Sequence, residues 1–207
     1  DRVLVLRRGQ EVGETPIAAA SERSLAEMMV GRSVVLAVEK QPATPGPVVL
    51  ELRNLTVRDD RRNLAVDDVS LEVRSGEILG IAGVQGNGQT ELVEALTGLR
   101  PAPAGTIVIG GHDYTNARPR RITEAGCAHV PEDRQKEGLV LSYPITDNLV
   151  LNTYYVRPFA RGWLMRPAAI LAQAAQLVQR YDVRTSSPLA LVSTLSGGNK
   201  QRSEEHT

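Results

Sequence analysis

The stretch GVQGNGQTEL, residues 83–92, decides how the rest of the chain is read. A phosphate-binding loop follows the pattern G-x-x-x-x-G-K-[ST], and Gly83, Gly86, Gly88 and Thr90 fall where that loop wants them. The lysine position holds Gln89 instead. Such a loop works because successive backbone N–H groups point into one concavity at a helix N-terminus, where they bind phosphate oxygens. The lysine adds a point charge on the β- and γ-phosphates, and the Ser/Thr hydroxyl ligates Mg²⁺. With Gln89 the backbone nest and Thr90 remain, while the amide donates a hydrogen bond without charge. Binding is then expected to survive in weakened form, with hydrolysis suffering most. On the loop alone, a glycine-rich turn with no ligand is an equal alternative.

The flanking sequence supplies the context that the loop requires. GEILGIAGV (76–84) is a continuous apolar run, as expected for a strand buried on both faces. TELVEALTGL (90–99) places Leu92, Val93, Leu96 and Leu99 at helical spacing. Upstream, VVLELRNLTV (48–57) and LAVDDVSLEV (64–73) alternate apolar and polar residues like half-buried strands. GTIVIGG (105–111) reads as a small hairpin and CAHV (127–130) as another short strand. From about Tyr143 the pattern turns helical, including AAILAQAAQLVQRY (168–181), and it ends in LSGGNKQ (195–201).

Residues 1–36 form a separate unit in this reading. VLVLRRGQEVGE (3–14) gives two short strands around an Arg-Gly turn, and SLAEMMVG (24–31) a short helix. Ser24 and Glu27 have capping-box spacing, and Gly31 ends the helix. The proline-dense EKQPATPGP (39–47) reads as an interdomain linker.

Bulk properties bound the function. Hydrophobic residues make up 42% of the 207, enough for a core, yet aromatics are 3%, so Val, Leu, Ile and Ala must build it. Lys plus Arg and Asp plus Glu number 24 each, which argues against wrapping nucleic acid. Runs such as RPRR (118–121) and DDRR (59–62) read as solvated surface. The single cysteine, Cys127, excludes an internal disulfide framework and reads as a small buried hydrophobe, a reactive thiol being the minority reading. No apolar run approaches the roughly 20 residues of a membrane-spanning helix. The chain starts at Asp1 rather than Met, so an upstream segment is expected.

Ser196, Gly197 and Gly198 ahead of a helix make a second phosphate-binding nest. Alone, S-G-G is usually just a loop. Together with the near-P-loop, Leu195, Ser196, Gly197, Gly198, Asn199 and Gln201 resemble the LSGGQ signature of the ATP-binding cassette (ABC) family, and the resemblance covers nearly the whole chain. AHVPEDRQKEGLVLSYPITDNLVL (128–151) looks like the second ATPase domain of tandem-domain ABC importers for sugars and nucleosides. The G-N-G-Q-[ST]-E-L form of the loop is most like the nucleoside branch, with a pentose or galactoside importer as runner-up.

The resemblance implies an α/β fold: a P-loop NTPase of ABC type with an antiparallel β subdomain and a helical subdomain, incomplete at the C-terminus. Residues 1–38 would be the tail of a preceding ATPase domain, 39–47 a linker, 48–202 the second ATPase domain and 203–207 a non-native tail. It implies that the nucleotide-binding residues are Gly83, Val84, Gln85, Gly86, Asn87, Gly88, Gln89, Thr90 and Glu91, with Thr90 the Mg²⁺ ligand. Two such domains close face to face, so Ser196, Gly198 and their neighbours would complete the competent ATP site on the first domain. The 83–90 loop would form the degenerate site. Glu132 falls where a glutamine usually senses the permease, against a competing reading as a surface acid in a turn.

Between Glu51 and Val69 there is no aromatic residue to stack adenine, a loss on the order of 1–3 kcal/mol. The implied partners are the first ATPase domain, transmembrane permease subunits and, indirectly, a periplasmic or lipoprotein solute-binding protein, with no nucleic acid. The implied location is peripheral, at the cytoplasmic face of the cell membrane.

Walker B, the catalytic glutamate and the switch histidine belong downstream of the signature, and His206 lies too close to it to be that histidine. RSEEHT (202–207) is what AGATCGGAAGAGCACACG encodes, a string resembling a sequencing adapter; a cloning scar is the competing origin. On this reading the parent protein hydrolyses ATP, the chain alone is inactive, and its open apolar sheet edge makes it aggregation-prone. Two other classes stay in view: a soluble ABC-type ATPase acting on nucleic acid or ribosomes, and a non-hydrolysing nucleotide-sensing or interaction module.

Overall fold

The computed structural model describes residues 1–7, 9–31 and 42–204, and they divide into two units, Asp1–Thr44 and Pro45–Thr207. In the first, β1 (Arg2–Arg7) and β2 (Gln10–Pro16) form an antiparallel hairpin whose turn uses Gly9 at φ 76°. A helix, α1 (Glu22–Val30), packs back on it so closely that a Cβ on Gly13 would stand 2.9 Å from the Met28 sulfur. The capping box is real but shifted from its expected place. Ser21 is the N-cap, its hydroxyl accepting from the Ser24 N–H at 3.1 Å while the Ser24 hydroxyl accepts from the Ser21 N–H at 3.0 Å. A serine at the third helical position can reach back as glutamate does, so the serine pair satisfies the helix start one turn earlier. Gly31 ends the helix at φ 78°, as expected. The proposed linker residues 39–41 lie outside the described residues, as does His206.

The second unit is built on two hydrophobic cores. Strands β3 (Val48–Arg58) and β4 (Leu64–Arg74) pair antiparallel across a turn closed by Asp59, whose carboxylate accepts from the Asn63 N–H at 2.7 Å. The other side of β3 pairs with β5 (Ala104–Ile109), and β6 (His112–Asp113) completes the sheet order β4-β3-β5-β6. Alternation, with a register shift between Leu52 and Leu55 where Asn54 takes φ 49°, puts Leu52, Leu55, Val57, Val66 and Ile107 on one face, where they meet Leu92 and Ala95 of the helix α2 (Gln89–Leu96). Gly105, at φ 91°, lets β5 approach where a Cβ would stand 2.5 Å from the Asn54 carbonyl oxygen.

After α3 (Pro119–Glu124) and a wide helical turn at Arg134–Gly138 come the short α4 (Ile145–Asn148), a hairpin of β7 (Ala160–Arg161) and β8 (Leu164–Met165), then α5 (Pro167–Arg180) and α6 (Gly197–Glu204). Here Leu139, Ile145, Leu149, Ala174, Val183, Val192 and Leu195 form the second core. Asn148 is fully buried inside this region. Its side chain accepts from the Val140 N–H at 2.8 Å and donates to the carbonyls of Val140 and Pro144, so the polar group is satisfied while it pins the preceding loop. Among the described residues no helix is long and apolar enough to cross a membrane.

Two expectations fail. The run GEILGIAGV forms no strand, and Ile78 is 83% exposed, with Leu79, Ile81 and Val84 also exposed. CAHV likewise forms no strand, and Val130 is exposed. A strand exists only where neighbouring backbone completes its ladder, and the sheet of the second unit is an antiparallel set that engages neither segment. Apolar content shows the tendency to be buried but carries no information on whether a partner strand is at hand.

Candidate functional site

The phosphate-loop residues sit at the start of α2. Gly86 takes φ 87° and Gly88, the N-cap, takes φ 94° and ψ 0°, a left-handed conformation that favours glycine. The loop also lies hard against β4: a Cβ on Gly88 would come within 2.1 Å of the Ala65 carbonyl oxygen. The first turn of the helix carries Thr90, exposed, and Glu91, half-buried. Val84, Gln85 and Asn87 are exposed in the loop itself.

Gln89 does something that the motif does not predict. Its side chain turns back into the loop, where Nε2 donates to the Val84 carbonyl at 3.2 Å and Oε1 accepts from the Asn87 N–H at 3.2 Å. A Cβ on Gly83 would lie 2.1 Å from that Nε2. The amide thus braces the loop from within and engages a backbone N–H of the kind that a phosphate would otherwise receive. A side chain at position 83 would therefore displace the Gln89 amide from this place in the loop.

A cleft of about 320 Å³ opens beside the loop, lined by Asp59, Leu64, Ala65, Gly86, Asn87, Gly88 and Glu91. Its charged lining residues are two carboxylates. The hydrogen bond from the Asn63 side chain holds the Asp59 carboxyl below the usual range, so it stays ionised at neutral pH. A polyphosphate entering this cleft meets helix-end N–H groups together with negative charge, which a divalent cation would offset. The left-handed glycines and the exposed Thr90 hydroxyl fit a phosphate and its Mg²⁺; the Gln89 brace and the carboxylates weaken the fit.

The second glycine motif belongs to the other core. Leu195 is buried among Ile145, Val192 and their neighbours, so it anchors the motif rather than facing a ligand. Ser196 precedes α6, its carbonyl accepting from the Lys200 N–H at 2.9 Å. A Cβ on Gly197 or Gly198 would meet nothing within 4 Å, so this face of the helix start is open. Asn199 points inward: Oδ1 accepts from the Arg184 N–H and Nδ2 donates to the Arg184 carbonyl, both at 3.1 Å. Arg202 continues the tie, donating to the Asp182 carbonyl at 2.9 Å. Ser203, expected to begin a non-native tail, is buried at the end of α6.

Glu132 is exposed in the segment between the two motifs. The neighbouring Asp133 organises that segment by accepting from the N–H groups of Gln135 and Lys136 and so capping the wide turn. Sequence reading passed over it, although an aspartate ahead of a helical turn is the expected cap. Arg134, on the same turn, donates to the Gln201 side chain at 3.3 Å and joins this segment to the signature helix. Cys127 is half-buried, and burial pushes its thiol pKa up, in keeping with a packing role.

Comparison with known proteins places these features. The sequence family described as ABC transporter matches residues 66–204. The nucleoside import ATP-binding protein NupA of Lactococcus lactis subsp. cremoris and the guanosine import ATP-binding protein NupO of Bacillus subtilis are each 44% identical over 98% of this chain and 40% of their own length. The chain therefore spans about two fifths of those relatives. Among solved structures, a nucleotide-free ATP-binding cassette from an ABC transporter superposes with a TM-score of 0.59 at 20% identity, over 77% of this chain and 63% of that one. The antiparallel sheet, the glycine loop opening α2 and the helical region ending in the signature follow the cassette's ABC ATPase fold, and the chain belongs to the ABC transporter family.

Proposed function

We propose that residues 48–202 belong to the second nucleotide-binding domain, and residues 1–38 to the tail of the first, of a tandem ABC importer ATPase that energises nucleoside uptake. The observation that carries the reading is Gln89, a glutamine in the lysine position of an otherwise well-formed loop, in a chain 44% identical to two proteins named for nucleoside and guanosine import. In this reading the loop from Gly83 to Glu91 binds ATP weakly, and Thr90 offers the hydroxyl for Mg²⁺. The cation would supply charge neutralisation between phosphates and the Asp59–Glu91 cleft. The open start of α6 at Ser196, Gly197 and Gly198 supports a second role, completing an ATP site on an intact loop elsewhere in the parent protein.

Gln201 and Arg134 tie that helix to the segment bearing Glu132, a route by which permease contact could reach the signature. The parent protein would hydrolyse ATP at the cytoplasmic face of the membrane with permease subunits and a solute-binding protein. This chain by itself would not. Steady-state ATPase measurements on the parent protein test the asymmetry. Ser196→Ala should lower the rate by roughly a hundredfold, as loss of a donor to transition-state charge does. Thr90→Ala should change it less than about threefold. A result in which Thr90→Ala is the more damaging change sinks the two-site assignment.

A further inference from the structure

The tip of the β7–β8 hairpin is an apolar patch in a cationic setting, and neither glycine motif accounts for it. Trp163 is 102% exposed, Leu164 76% and Met165 50%, while Ala160 at the base is buried and the Arg166 N–H donates to the Phe159 carbonyl at 2.8 Å. The hairpin is thus anchored at its foot and bare at its end. The turn is Gly162-Trp163, with Gly162 at φ 62°, a conformation that presents the indole outward on a tight loop.

Charge along this stretch of sequence is one-sided. From Asn148 to Tyr181 the sequence contains Arg157, Arg161, Arg166 and Arg180 and no Asp or Glu, in a chain whose formal net charge is zero. Among the described residues none of Arg157, Arg161 and Arg166 has an ion-pair partner. Three consecutive exposed apolar residues of this kind mark a candidate interaction site. Tryptophan beside arginine is the pairing that headgroup layers favour, because the indole is apolar with one polar tip and arginine complements anionic phosphate.

We infer that the β7–β8 hairpin is an interfacial contact that seats Trp163, Leu164 and Met165 in the headgroup layer of an anionic phospholipid bilayer, with Arg157, Arg161 and Arg166 against the lipid phosphates. The occupant is lipid rather than protein because Arg161 and Arg166 flank the exposed apolar tip along the hairpin and Arg157 precedes it in the sequence, a charge complement that suits lipid phosphates. This assignment stands independently of the nucleotide reading.

Trp163 is the only tryptophan, so its emission reports the hairpin alone. The 207-residue chain is titrated with vesicles of phosphatidylcholine, and with vesicles in which part of it is replaced by phosphatidylglycerol. The expected result is a blue shift with anionic vesicles only, quenching by lipids brominated on the upper acyl chain, and reversal by added salt. The combined variant Arg157→Gln, Arg161→Gln, Arg166→Gln should weaken partitioning by on the order of a hundredfold, at roughly fivefold per charge. Arg61→Gln with Arg62→Gln, away from the hairpin, should leave it unchanged, and circular dichroism checks that each variant keeps its fold.

No shift with anionic vesicles overturns the proposal and leaves the tip to a protein partner. Co-sedimentation with vesicles without quenching of Trp163 also overturns it, since another surface such as Ile78–Val84 would then be binding. Equal partitioning into both vesicle types removes the electrostatic half of the claim and with it the assignment.

Discussion

The two glycine motifs of this chain are held in opposite ways. The signature segment is fixed from beneath, with Leu195 in the second core and the Asn199 amide locked to both backbone groups of Arg184. The phosphate loop is fixed from behind, where α2 grips the first core through Leu92 and Ala95. Its approach, Ile78 to Val84, is bare, and its interior is propped by one amide with two longer hydrogen bonds. One motif is tied down by a buried leucine and a doubly bonded amide. The other carries a local brace, and that brace occupies a backbone N–H of the kind that a phosphate would use.

Three substitutions would break or sharpen this contrast. Leu195→Ala deletes a buried side chain beneath the signature and should cost about 2–5 kcal/mol, read as a lowered denaturation midpoint by circular dichroism. A loss below about 1 kcal/mol would mean that the signature is not anchored through the second core. Asn199→Ala removes two hydrogen bonds to backbone groups that water can reach, for a net cost of about 1 kcal/mol after alanine's gain in helix propensity. Gln89→Ala, at the exposed loop, should move stability by less than about 0.5 kcal/mol. It should nevertheless alter phosphate binding, measured calorimetrically with ATP and Mg²⁺, because the Asn87 N–H is released. A large stability loss at Gln89 would show that the brace holds more than the loop.

Much of this could be read from residues alone, for identifiable reasons. Strands β3 and β4 could be read because one face is buried against α2, the condition under which a period of two is visible, although irregularities in their pairing break that period between Leu52 and Leu55. Gly31, Gly86 and Gly88 announced a helix end and a loop because left-handed backbone leaves a compositional trace. The failures share one cause: they depend on what a segment meets. Ile78–Val84 reads as a strand and pairs with nothing described. Asn199 reads as a ligand-facing residue of the signature and turns inward to Arg184. Gln89 reads as a lysine substitute, yet it spends its polar atoms on its own loop. Side-chain direction in a short polar stretch has no periodicity to reveal it.

The hairpin tip has a consequence for anyone who studies this chain in a cuvette. A tryptophan already surrounded by water emits in the native state much as it does in denaturant, so a titration followed by indole emission would be nearly flat. That trace would look like a protein with no folded state. The chain's brightest intrinsic reporter is decoupled from both of its cores, and cooperativity here must be judged from backbone signals, never from Trp163.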